Sequence, residues 1–148
     1  MEALISDDEL VKAIANNGEN FLEQEVENPA DLIYKQIFPY KWTAPQIPDR
    51  KEVYITMNFA IDRLDGGIFN RIGVVIYVFV HKDIMRIFDG EQYHLRSDYI
   101  LQKIESLLHN STDFGVGRLE LVDNGDIFLS TDLPGFFLVF VTTDQAAR

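Results

Sequence analysis

The chain has 148 residues, of which 47% are hydrophobic, 25% charged and 12% aromatic, a composition that fits one folded domain and excludes wholesale disorder. No apolar run approaches the roughly 20 residues needed to cross a bilayer, and the first nine residues lack the basic start of a secretory signal, so a soluble protein made inside a cell is expected. The absence of cysteine removes disulfides, thiol nucleophiles and Cys-based metal sites, while a formal net charge of −11 disfavours ordinary electrostatic binding to nucleic acid.

Residues 1–31 hold nine acids against Lys12 alone, whereas the other residues hold fifteen acids and twelve bases. The spacing of Leu10, Val11, Ile14 and Ala15 predicts a helix over 7–16, capped by Asp7 or Asp8 and ended by Asn16-Asn17-Gly18. A second acidic helical stretch is expected over 19–26. Pro29 then suits a first helical turn, followed by helical contacts from Leu32, Ile33, Tyr34 and Ile37. Residues 38–51 hold three prolines and three aromatics and read as an extended connector lying against the body.

Val53, Ile55, Met57, Phe59 and Ile61 alternate with their neighbours, the period of a half-buried strand. Asp65-Gly66-Gly67 is turn chemistry, and residues 68–80 read as a longer strand, so 53–80 is a hairpin with its tip at Asp62–Gly67. From Gly73 this second strand is apolar on both faces, which predicts a central strand covered twice, by helices or by another subunit. Residues 81–95 form a polar connection with a turn at Asp89-Gly90. Ile100, Leu101, Ile104, Leu107 and Leu108 mark one buried face of a helix over 97–109, which Ser97 or Asp98 can cap. Asn124-Gly125 predicts a hairpin between strands near 118–123 and 126–130. Leu133-Pro134-Gly135 reads as another turn before a last strand at 136–141. The whole is an α+β domain, a mostly antiparallel sheet flanked by helices.

No catalytic constellation emerges. His81, His94 and His109 share no helical metal-ligand spacing and no HExxH pattern. Asp62, Asp65 and Asp89 lie in turns, where Asp is favoured for local hydrogen bonds. Asp49-Arg50-Lys51 mimics half of a nuclease motif but falls in the Pro-rich connector, no serine sits in a nucleophile elbow, and Gly115-Val116-Gly117 is too short for a phosphate loop. A non-enzymatic protein without cofactor or metal is expected.

Two stretches, FPYKWTAPQIPDRKEVYITMNF (38–59) and VFVHKDIMRIFDGEQYHLRSDYILQKIESLL (78–108), resemble phage structural proteins. The chain is similar over about residues 29–142 to the tail-terminator, tail-completion or head–tail joining proteins of long-tailed phages that infect Gram-positive hosts. The resemblance implies a homo-oligomeric ring, usually of six copies, assembled in the host cytoplasm and built into the virion. Such a ring caps the tail tube, stops its polymerisation and receives the neck or head-completion protein. DNA passes through it without specific binding, which a net negative charge suits; no membrane is involved. The acidic segment 1–28 lies outside the likeness. The loops Asp62–Gly67 and His81–Leu95, with Asp62, Arg63, Leu64, Asp65, His81, Lys82, Asp83 and Arg86, are the candidate partner contacts, because polar turns on rigid scaffolds carry changing interactions. The competing class is a small acidic inhibitor or immunity-type protein whose acidic segment masks a basic partner; an enzyme with a small ligand would need a pocket that the sequence does not identify.

Overall fold

The computed structural model describes residues 2–40, 50–63, 70–111 and 118–142, with the side chains at 60–63 and 70–72 set aside. In chain order the elements are helices α1 (Glu2–Ile5) and α2 (Asp8–Ala15), strands β1 (Ile37–Phe38), β2 (Val53–Arg63), β3 (Asn70–Val80), β4 (Arg86–Phe88) and β5 (Tyr93–Leu95), helix α3 (Arg96–Leu108), and strands β6 (Leu119–Ser130) and β7 (Leu133–Thr142). The main sheet has the order β1-β2-β3-β7-β6, antiparallel except for β1 beside β2. The protein is therefore α+β with a mostly antiparallel sheet, and β3 is central, as its doubly apolar pattern requires.

Several expectations change at the level of single elements. The acidic stretch 19–26 contains only a 3₁₀ turn, Phe21–Glu23, and the segment after Pro29 is a second 3₁₀ turn that leads into β1. Gly18, Asn28 and Pro29 leave runs too short to repay helix nucleation. Asn124-Gly125 is not a hairpin turn: β6 runs straight through it, with Asn124 paired to Leu138 and Gly125 to Phe137. The glycine is needed there for space, since a Cβ at 125 would lie 2.7 Å from a ring carbon of Phe137. The chain reverses instead at residues 131–132, and β7 already begins at Leu133. Pro134 is tolerated because its pair with Phe128 sits beside a bulge and beyond the last β3–β7 pair, Phe79 with Gly135. Gly135 has its own constraint, because a Cβ there would collide with the Val78 carbonyl oxygen. The connection 81–95 is more structured than its polarity suggests, holding a 3₁₀ turn at Lys82–Ile84 and the β4–β5 ribbon.

The two helices with the strongest apolar patterns lie on one face of the sheet. Leu10 and Ile14 of α2 and Ile100, Ile104 and Leu108 of α3 join Val53, Ile55, Ile76, Val78, Leu138 and Phe140 in one core. Leu101 and Leu107 flank this contact half-buried. Leu4 and Phe21 belong to the same core, so the acidic segment 1–28 is packed into the domain.

Asp7 caps α2, its carboxylate accepting the Leu10 N–H at 2.9 Å. By contrast α3 starts one residue earlier than expected, and its cap position, Leu95, makes no side-chain cap bond, so neither Ser97 nor Asp98 caps it. What holds its start is Arg96, whose side chain is fully buried. Arg96 Nε donates to the Ile84 carbonyl at 2.8 Å, Nη1 to those of Ala13 and Asn16, both at 2.7 Å, and Nη2 to Gly18 at 2.9 Å. Its backbone N–H donates to the Met85 carbonyl, and the guanidinium lies 5.5 Å from the centre of the Phe21 ring. Replacing Arg96 by Met leaves four inward-facing carbonyls unpaired, and we expect a loss of about 3–5 kcal/mol in urea unfolding. Arg96→Lys, with three donors and no planar fork, should recover only part of that loss.

Candidate interaction surfaces

The structure sets the two loops singled out from the sequence at opposite ends of β3. The strands of the β2–β3 hairpin stay paired to Arg63 and Asn70, three residues past the last β3–β7 pair, Gly73 with Val141. Asp62 and Arg63 close the described part of this projection, and Leu64 and Asp65 lie outside the described residues. The 81–95 connection leaves the other end of β3. Eleven residues of strand separate the two ends, about 33 Å at a strand's rise.

At that second end the candidate residues are already engaged within the molecule. His81 is buried, and its Nδ1 accepts the Asp83 N–H at 3.1 Å, capping the 3₁₀ turn from inside. Lys82 pairs with Asp132 at 2.9 Å, Asp83 with Lys51 at 3.2 Å, and Arg86 with Glu19 at 3.1 Å. Arg86 also stacks over the Tyr93 ring, 4.6 Å from its centre. Lys82, Asp83 and Arg86 remain exposed, whereas His81 offers no surface to a partner.

The remaining histidines are held separately. His109 Nδ1 accepts the Leu121 N–H at 3.0 Å, and His94 Nε2 lies 2.6 Å from Asp89 Oδ2. Among the described residues no three His, Asp or Glu side chains converge on a point that could hold a metal. A cavity of about 80 Å³ lies between α1, α3 and the sheet, lined by apolar side chains including Leu4, Met57 and Leu108; small-molecule sites are several times larger.

The acidic segment is also partly neutralised within the molecule. Lys12 bridges Asp8 at 3.0 Å and Glu25 at 3.3 Å, and Glu9 accepts from Lys103 at 2.7 Å and from Tyr99 at 2.8 Å. The Lys103 and Tyr99 hydrogen bonds hold the Glu9 carboxyl below its ordinary range. These contacts tie α2 to α3.

Among the described residues no helix covers the other face of the sheet. Val75 and Tyr77 of β3, Phe137 and Val139 of β7, and Ile127 and Leu129 of β6 are half-buried there. Phe38, Tyr54 and Phe79 form the buried part of this second cluster, in which no helical residue takes part. Pattern reading found both faces of β3 apolar; the structure shows that the helices cover only one.

A family model, YomW, matches residues 7–142, from the cap of α2 to the last residue of β7. The chain belongs to the YomW family. YomW is a protein of a Bacillus phage region, which agrees with the phage origin that the tail-terminator resemblance implies. The YomW match includes most of the acidic segment, as the shared core does. Comparison with curated proteins gives no match.

The Asp89 carboxylate accepts the N–H groups of Gln92 and Glu91 at 2.9 and 2.8 Å, and these bonds, with His94, hold its pKa down to about 2. A depressed acid contributes stability above its unfolded value and loses it as pH falls through the folded one. The amide signals of Glu91 and Gln92 should therefore shift with a midpoint at about pH 2, well below that of an ordinary aspartate, in an NMR titration. Asp89→Asn should abolish that titration.

Proposed function

We propose that this protein is a structural component of a long-tailed phage, a tail terminator or tail-completion protein. It forms a ring on the head-proximal end of the tail tube, ends tube polymerisation and joins the tail to the neck. The observation that carries this reading is the apolar second face of the sheet, which the helices leave open. A face of half-buried Val, Ile, Leu, Tyr and Phe side chains is the kind of surface that subunits cover for one another. Support also comes from the phage region of the YomW family and from the position of the two polar loops. With the hairpin projecting at one end of β3 and the 81–95 connection at the other, one copy presents different surfaces to the tube and to the neck. The reading assigns no catalysis, and its working location is the virion. DNA passing through the ring meets an acidic protein that does not retain it. The inhibitor reading has less to rest on, because four of the nine acids in residues 1–31, Asp8, Glu9, Glu19 and Glu25, have cationic partners inside the molecule.

Light scattering on the purified protein, alone and with tail tubes, tests the proposal. We expect a ring-sized assembly or capped tubes of fixed length. Val139→Glu places a charge on the open face, away from the helix-covered core, and should give a folded protein that neither assembles nor caps. A strictly monomeric wild-type protein that leaves tube growth unchanged would overturn the reading.

A further inference from the structure

We infer that the outer edge of β6 is a docking site for an extended, basic segment of a partner protein, which joins the sheet as an added strand. Among the described residues β6 pairs only with β7, so the N–H and C=O groups of alternate residues point outward without a strand to receive them. Register shifts fall between Leu121 and Asp123 and between Phe128 and Ser130, and they bracket a regular run, Asp123–Phe128. Six residues of regular edge span about 17–20 Å, enough to hold one short strand.

The charge of this edge selects the occupant. Residues 119–142 contain Glu120, Asp123, Asp126 and Asp132 and no lysine or arginine. Asp132 pairs with Lys82, but no described cation pairs with Glu120, Asp123 or Asp126, all exposed on β6. A second copy of the strand is a poor match: antiparallel pairing centred on Asn124-Gly125 sets Asp123 opposite Asp126 twice, and like charges facing across a ladder repel. A strand with lysine or arginine opposite Asp123 and Asp126 replaces that repulsion with attraction. Apolar residues of the added strand beside 127–129 meet Phe128, whose side chain is 76% exposed, on one face and the half-buried Ile127 and Leu129 on the other. This recognition mode combines main-chain bonds for affinity with side-chain positions for selectivity. It uses the sheet edge, not the open face, and holds for a monomer as well as for a ring.

Selection of a randomised library of peptides about ten residues long against the full-length protein tests the inference. We expect enrichment of peptides with two basic residues three positions apart and apolar residues on one side of that pair. Their binding should protect amides within 123–128 from hydrogen exchange, and Asp123→Asn with Asp126→Asn should weaken it roughly tenfold. The same peptides N-methylated at alternate backbone positions should not bind, since they keep the charge but lose the ladder bonds. The inference is overturned by a selection without basic enrichment, by protection elsewhere, by equal binding of the N-methylated peptides, or by β6–β6 cross-links between copies.

Discussion

The packing of this protein turns on one buried cation. Arg96 is fully enclosed in a chain of net charge −11, yet among the described residues it pairs with no carboxylate: carbonyl oxygens from the end of α2, the residues after it and the 81–85 loop surround it. Carbonyls at a helix C-terminus carry the negative end of its dipole, so they stabilise a guanidinium without a second formal charge. Burial brings its pKa down to about 10, which leaves it charged at neutral pH. Two separate stretches of chain, residues 13–18 and the loop at Ile84, are thereby fixed to α3 through a single planar group. Helix α2 can then lie beside α3 on the sheet, and the acidic segment can share the core.

The cation also explains why one element begins where it does. A basic residue in the first turn of a helix opposes the macrodipole, and α3 starts with Arg96 while its cap position makes no side-chain cap bond. The sequence hid that mismatch, because Ser97 and Asp98 offer caps that would leave Arg96 outside the helix. The apolar periodicity of α3 and the alternation along β2 and β3 were legible because each side chain there answers to a single neighbour, the core. Asn124-Gly125 and Pro134-Gly135 misled because turn chemistry is a local property. Their glycines answer to a distant ring, Phe137, and a distant carbonyl, that of Val78. Both partners lie on other strands and only the folded register brings them close.

Surfaces were less legible than the core. Composition marks 81–95 as polar, but it does not tell an exposed Lys82 from a buried His81 that bonds inward to its own turn. The same holds for the acidic N-terminal stretch, whose carboxylates look available in sequence and are partly spent on Lys12, Lys103 and Arg86. Pattern alone did show that β3 is apolar on both sides. Arg96 ties α2 to the start of α3, and both helices share the core on one side of the sheet.

The long, uninterrupted pairing of β3 has a mechanical consequence. Its two ends are the hairpin projection and the 81–95 connection, so a pull between them runs along the strand axis. The extended covalent backbone of β3 carries that load directly, and its pairs with β7 (Gly73 to Phe79) and with β2 (Asn70 to Val80) brace it from both sides. Along this direction the domain behaves as a stiff strut, and its compliance is left to the loops at either end.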